Sequence, residues 1–156
     1  MPLPPFQRFL GEQRDPVWRF LVASVGRDAA DDCFQETFLS AMQAYPRLRH
    51  GEHLRAWVLT IANRKAIDHH RARRRAAVPV GATPDVAAPE PPAPDEETWR
   101  RVRDLPPRQR AVLLLRYAGD LPHRDVAAAL GCSEEASRQA AREGLRRLRH
   151  EIGERS

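Results

Sequence analysis

The sequence predicts an all-α chain: two small helical domains joined by a Pro-rich flexible linker. Three observations carry this reading. Apolar residues recur at i, i+3 and i+4 in several segments, and no stretch alternates with period two between turn signals. Between Val78 and Thr98, six of the 14 prolines crowd together. At that density they remove backbone donors and fix φ, so neither helix nor sheet propagates. The third observation is charge. The 156 residues carry 26 Lys+Arg against 21 Asp+Glu, a net +5. The proline segment nonetheless holds Asp85, Glu90, Asp95, Glu96 and Glu97 and no cation, so the rest of the chain carries ten positive charges in excess. The chain therefore divides into an N-terminal tail (1–11), a basic domain (12–77), an acidic linker (78–97) and a second basic domain (98–152).

The elements follow in order. Asp15-Pro16 reads as an N-cap with Pro at the first helical position, and Trp18, Leu21, Val22 and Val25 make a short stripe ended by Gly26. Asp28 to Tyr45 has the sharpest pattern: Ala30, Cys33, Phe34, Thr37, Phe38, Ala41, Met42 and Tyr45 form one apolar face, with Asp28 as N-cap and Pro46 as stop. After a polar loop from Pro46 to His53, a long helix runs from Glu52 to about Arg75, with Leu54, Trp57, Val58 and Ile61 facing the core. The second domain opens with a helix from Trp99 to Asp104. A helix from Leu105-Pro106-Pro107 runs through Arg116 and is broken at Gly119-Asp120. A short helix from His123 to Leu130, a turn at Gly131-Cys132-Ser133 and a basic helix from Glu134 to about Glu151, capped by Ser133, give the helix-turn-helix order.

Composition and motifs exclude several functions. The longest aliphatic run, Val112 to Leu115, is far short of the ~20 residues of a membrane helix, so no membrane insertion is expected. The start has neither a basic nor an apolar leader segment, which points to a cytoplasmic protein. Cys33 and Cys132 lie far apart, so neither a disulfide framework nor a metal cluster is suggested. No phosphate loop, nucleophile elbow or zinc-protease motif occurs. No catalytic residue, cofactor or metal is therefore expected. Basic residues instead point to DNA. Arg71, Arg73, Arg74 and Arg75 end the long helix at a density beyond what the helix dipole asks for. On the last helix Arg138, Gln139 and Arg142 share a face near the N-terminus, from which a recognition helix reads the major groove. Arg146, Arg147 and Arg149 lie farther along, placed for phosphates. Asp32, Gln35, Glu36 and Leu39 form a second face of the Asp28–Tyr45 helix, acidic with one Leu, which suits a basic protein partner.

These blocks resemble an extracytoplasmic-function (group IV) sigma factor of bacterial RNA polymerase, in the sigma-70 family. DAADDCFQETFLSAMQAY resembles the region 2 helix that docks on the polymerase, and HLRAWVLTIANRKAIDHHRARRR resembles the segment that melts and reads the −10 element. LPPRQRAVLLLRYAGDLPHRDVAAALGCS and REGLRRLR are similar to region 4. The resemblance implies a region 2 helical bundle and a region 4 helix-turn-helix. It implies core RNA polymerase as partner, through the β′ clamp helices and the β flap, along with promoter DNA and, in some members, an anti-sigma factor. By the same resemblance Asp32, Gln35, Glu36 and Leu39 fall where the clamp helices bind. Leu48 and Arg49, on the loop that captures a flipped base, join Trp57, Thr60, Asn63, Arg64 and Lys65 and the run Arg71, Arg73, Arg74 and Arg75 at the −10 element. Ser133, Arg138, Gln139, Arg142 and Arg146 fall where the −35 element is read. The linker resembles the connector that threads the polymerase's active-site path. Ser137, Ala141 and Glu143 depart from the apolar, apolar and basic residues usual in the recognition helix. Two other readings stay open at this point. One is a free-standing helix-turn-helix regulator; the other is a sigma-like interaction protein or decoy.

Overall fold

Gly26 sets the first corner of the molecule. In the computed structural model, which describes residues 2–76 and 94–154, its φ of +84° lets one residue end a helix and begin the next. Helix α1 spans Phe6–Val25 and α2 spans Arg27–Ala44. A single 3₁₀ turn, Tyr45–Arg47, follows, and then α3, Leu54–Ala76. The second half contains α4 (Pro94–Arg103), α5 (Pro107–Leu113), a wide π-helical turn at Leu114–Ala118, α6 (His123–Leu130) and α7 (Glu134–Glu154). The described residues contain no strand, as the sequence predicts. None of their helices is long and apolar enough to cross a membrane.

Helix α1 departs most from expectation. Pro16 lies inside it, not at its start, and Phe6 to Gly11 belong to the helix, not to a tail. The reason is burial. Phe9, Gln13, Pro16, Val17 and Phe20 follow one stripe, and Phe9 is fully buried. Its ring lies 5.1 Å from Tyr45 and 5.8 Å from Trp57. Burying an aromatic side chain of this size is worth roughly 1.5–3 kcal/mol, enough to offset much of the hydrogen bond that Pro16 removes. The Tyr45 hydroxyl donates to the Pro4 carbonyl and ties the preceding segment down as well.

The apolar stripe of α2 is buried at Ala30, Cys33, Thr37, Phe38 and Ala41, with Tyr45 just beyond. Met42 is the exception, at 50% exposed. Its neighbour at the corner of the stripe, Phe34, is half-buried and packs edge-on to Trp18, itself 37% exposed. Asp28 does not cap α2. Gly26 occupies that position and makes no side-chain bond, while Asp28 lies in the first turn, where its charge still suits the helix N-terminus. Along α3 the buried side chains are Leu54, Val58, Leu59, Ala62 and Ala66; Trp57 and Ile61 are only partly buried. The acidic linker also ends earlier than the sequence suggests, because α4 begins at Pro94. Proline is at home at the first helical position, and Glu96 and Glu97 near the N-terminus suit the dipole. The remainder of the linker, and with it the expected flexible tether, lies outside the described residues.

The halves do not bury separate cores. One continuous cluster runs from Phe9 and Phe20 through Val58 and Leu59 to Leu115, Leu121 and Val126. Helix α1 is the shared element, touching α2 and α3 on one side and α4 and the π turn on the other. The physical reason is size, since neither half alone removes much surface from water. Gly119 marks how tight the junction is: a Cβ there would stand 2.9 Å from a Leu59 methyl of α3 and 2.8 Å from the Leu115 carbonyl.

Arg103 makes a hydrogen-bonded contact between the halves. Its Nε donates to the Ala23 carbonyl at 2.8 Å and its Nη2 to the Val22 carbonyl at 3.0 Å, while Nη1 meets Glu96 at 3.1 Å. Helix α1 has no basic residue in its own last turn, so a distant guanidinium satisfies carbonyls left over there. Arg103→Ala is expected to cost about 1.5–3 kcal/mol, the range for hydrogen bonds to charged groups. Urea unfolding followed by circular dichroism measures it. An unchanged midpoint would remove Arg103 from the list of contacts that hold the halves together.

Candidate nucleic-acid interface

Three surfaces gather the charged residues singled out by the sequence. The first is the outer face of α2. Asp32, Gln35, Glu36 and Leu39 are all exposed on it. Leu39 is 55% exposed and Met42, one turn on, continues the apolar strip. Asp32 and Glu36 form no ion pair among the described residues, so the face presents uncompensated negative charge beside exposed carbon. Cys33 lies behind it. Burial first, and then Glu36 and Asp32, push its thiol up to about 11, so it stays protonated and unreactive.

The second surface is formed by the loop before α3 and the first turns of α3. His53 closes that loop with φ at +57°, a conformation non-glycine residues seldom adopt. Leu48 and Arg49 from the loop meet Trp57, Thr60 and Arg64 from α3 around a cavity of about 430 Å³. The Trp57 ring is wedged against Phe9 and Tyr45, and the Thr60 hydroxyl donates to the Ala56 carbonyl at 2.7 Å. Asn63 is not part of this group. It opens onto a separate cavity of about 210 Å³ with Arg71 and Arg74. Lys65, Arg73 and Arg75 line neither. One wall of the larger cavity belongs to the other half of the chain: Asp125, Ala128 and Ala129 of α6. Asp125 Oδ1 sits 3.8 Å from His53 Nδ1. No local pattern in the sequence links these two residues.

The third surface is α7. Gly131, at φ +69°, ends α6 in the left-handed conformation, its amide bonding to the Ala127 carbonyl. Ser133 then caps α7, its Oγ accepting from the Ala136 amide at 3.0 Å. Arg138, Gln139, Arg142 and Arg146 are exposed. Three of them are held by the helix's own acids: Arg138 by Glu134 at 3.0 Å, Arg142 by Glu135 at 3.0 Å, and Gln139 by Glu143 at 2.9 Å. The departures from the usual recognition helix now have physical explanations. Ser137 is fully buried, and its Oγ is 2.8 Å from His123 Nδ1, so a hydrogen bond locks α7 to α6 where an apolar contact is usual. Glu143 accepts from Gln139 and, at 3.4 Å, from Gln109. Ala141 is buried one turn beyond Ser137, and Gly144 lets α5 approach so closely that a Cβ would meet Leu113 at 2.9 Å.

Residues 11–76 match the family described as Sigma-70 region 2, and residues 95–148 match Sigma-70, region 4. A probable RNA polymerase sigma-C factor of Mycobacterium bovis is 34% identical over 138 residues, covering 81% of this chain and 71% of its own length. The chain belongs to the extracytoplasmic-function sigma factors of the sigma-70 family. A second relative, ECF RNA polymerase sigma factor SigD of Mycobacterium tuberculosis, is 36% identical over 134 residues, which is 80% of this chain and 63% of its own. The fold agrees as well. The sigma factor RpoE of Bartonella quintana, solved with the anti-sigma factor NepR, superposes with a TM-score of 0.78 at 21% identity, over 95% of this chain and 96% of that one. CnrH, solved with the cytosolic domain of CnrY, gives a TM-score of 0.75 at 20% identity, covering 97% and 89%. In this sigma factor the region 2 match covers most of α1 through α3, and the region 4 match covers most of α4 through α7.

The site also has a pH-sensitive support. His70 Nε2 donates to the Ser24 carbonyl at 2.9 Å, bridging α3 to the end of α1. Burial pushes its imidazole below the ordinary 6.5; the Ser24 bond opposes this, while Arg110, His69 and Arg103 add to it. A folded pKa below the unfolded one means that the unfolded chain protonates first as pH falls. Stability is therefore full above 6.5 and is lost below it, toward the folded value. His123, lowered mainly by burial, acts in the same direction. His70→Gln keeps an N–H donor without titrating. Urea midpoints measured between about pH 7 and 5 are expected to fall less steeply in that variant than in the parent chain.

Proposed function

We propose that this sigma factor is a non-catalytic, cytoplasmic initiation factor that binds core RNA polymerase and carries it to two-part promoters. Region 2 (12–77) docks by the acidic face of α2, with Asp32, Gln35, Glu36 and Leu39 on the β′ clamp helices, and reads and melts the −10 element. Region 4 (98–152) reads the −35 element and meets the β flap. The convergence of Leu48, Arg49, Trp57, Thr60 and Arg64 on one cavity supports this most. That cavity combines an aromatic wall, two guanidinium groups and a hydroxyl, the chemistry that receives an extruded base and holds its phosphates. Arg71, Arg73, Arg74 and Arg75 continue along α3 as backbone contacts, and Arg138, Gln139 and Arg142 offer hydrogen bonds to base edges in the major groove.

The docked arrangement and promoter engagement exclude one another in this reading. Asp125, Ala128 and Ala129 form one wall of the cavity that would receive the base, and the Asp125 carboxylate, 3.8 Å from His53, would repel an incoming phosphate. Region 4 therefore leaves region 2 when the polymerase spreads the two across a promoter. An anti-sigma factor is a further partner in this reading, since the RpoE structure of like fold holds one.

Run-off transcription with core polymerase tests the whole reading; promoter-specific transcripts are expected, and their absence with no co-purification of core overturns it. Glu36→Lys is expected to weaken core binding at least about tenfold, by placing like charge against a basic partner. Arg138→Ala is expected to leave core binding intact and to cost about 1–3 kcal/mol of discrimination at one −35 position. Binding assays on core and on a set of promoter variants separate the two effects.

A further inference from the structure

The smaller cavity, of about 210 Å³, lies between α3 and α5 with the end of α1 as its floor. Arg71 and Arg74 enter from α3 and Arg110 from α5, and no carboxylate lines it. None of these three guanidiniums has an ion-pair partner among the described residues. Arg110 spends one N–H on the Arg103 carbonyl at 3.2 Å, which fixes its position and leaves its other donors free. Asn63 adds an amide. Ser24, 1% exposed, also lines the cavity, and its buried Oγ has no hydrogen-bond partner. A buried hydroxyl left unsatisfied is uncommon and calls for a missing acceptor or donor. His70 is not that partner, since it serves the Ser24 carbonyl. Like charges from two halves of the chain are thus held together around a space with donors and no acid.

We propose that this cleft binds the terminal phosphate of a small phosphorylated ligand, gripped by Arg71 and Arg74 of α3 and Arg110 of α5. Guanidinium forks match phosphate oxygens in pairs, and three of them suit a dianion better than a singly charged phosphodiester. The volume is below the range of pockets that enclose a whole drug-sized molecule, so the cleft takes the phosphate and leaves the rest of the ligand outside. Burial first, and then the like charge of Arg74, push the Arg110 guanidinium down from its ordinary value. Because the cleft needs both halves, its ligand stabilises the docked arrangement. If docking excludes promoter DNA, a step that rests on the reading above, the ligand holds the factor inactive.

The test is calorimetric titration of the full chain with inorganic phosphate and with pyrophosphate at matched ionic strength. The assay contains neither polymerase nor DNA, so it succeeds or fails independently of the transcription experiment. Saturable binding at one site per chain is expected. Arg74→Ala and Arg110→Ala are each expected to weaken it by about tenfold or more. Arg19→Ala, which removes a cation from elsewhere on α1, is expected to leave it unchanged. Arg74 is exposed, so its variant tests the site even if Arg110→Ala unfolds. Absence of saturable heat overturns the proposal. So does equal weakening by Arg19→Ala, which would show diffuse attraction to a basic chain. Binding of dimethyl phosphate as tightly as inorganic phosphate overturns it too, and would mark the cleft as a backbone phosphodiester contact.

Discussion

The free carbonyls at the end of α1 are the constraint on which the rest of the structure depends. A helix leaves its last carbonyls without intrahelical partners, and α1 ends in Val22, Ala23, Ser24 and Val25 with no basic side chain to answer them. Gly26 returns one amide to Val22. Arg103 of α4 meets the Ala23 carbonyl and adds a second bond at Val22, and His70 of α3 meets the Ser24 carbonyl. Two elements from different parts of the chain are thus drawn to one helix end. The apolar faces of α2, α3, the π turn and α4 then close around α1, and the two cores merge. Hydrophobic burial supplies most of the stabilisation, but it is non-directional. The hydrogen bonds to specific carbonyls set the register in which the halves meet.

That register brings the helix-turn-helix half against the cavity at the start of α3. The contacts across the cavity are weak ones. His53 and Asp125 lie at the long limit for an ion pair, and His53 is exposed. The pairs on α7 are weak as well: Arg138 with Glu134 and Arg142 with Glu135 are exposed, and such pairs are worth about 0–1 kcal/mol each. DNA phosphates and guanine edges offer these guanidiniums stronger partners. The acids of α7 therefore neutralise part of its exposed basic face in the free protein through pairs that are easily broken.

Some elements were legible because their signals are local. His123 to Leu130, the turn at Gly131 and the Ser133 cap depend on residues within a few positions of each other, and all stand where the sequence puts them. The acidic face of α2 follows from helical spacing alone, once the opposite stripe is assigned to the core. Local rules failed where a distant partner outweighed them. Pro16 reads as a helix start, yet Phe9 finds Tyr45 and Trp57 and carries the helix back to Phe6. Met42 follows the apolar stripe and still faces solvent, because no helix among the described residues buries it.

By itself the sequence determined the all-α class, the order of the helices, the family and which residue types face outward to meet a polymerase and DNA. Those are consequences of period, capping and composition, which act over one or two turns. The tertiary structure alone decided that Arg103 completes α1, that Asp125 closes a cavity built by Leu48, Arg49 and Trp57, and that Arg110 joins Arg71 and Arg74 around a shared space. Each of those links residues tens of positions apart. Such pairings are selected only when the whole core is buried at once, and that choice leaves no trace in local periodicity.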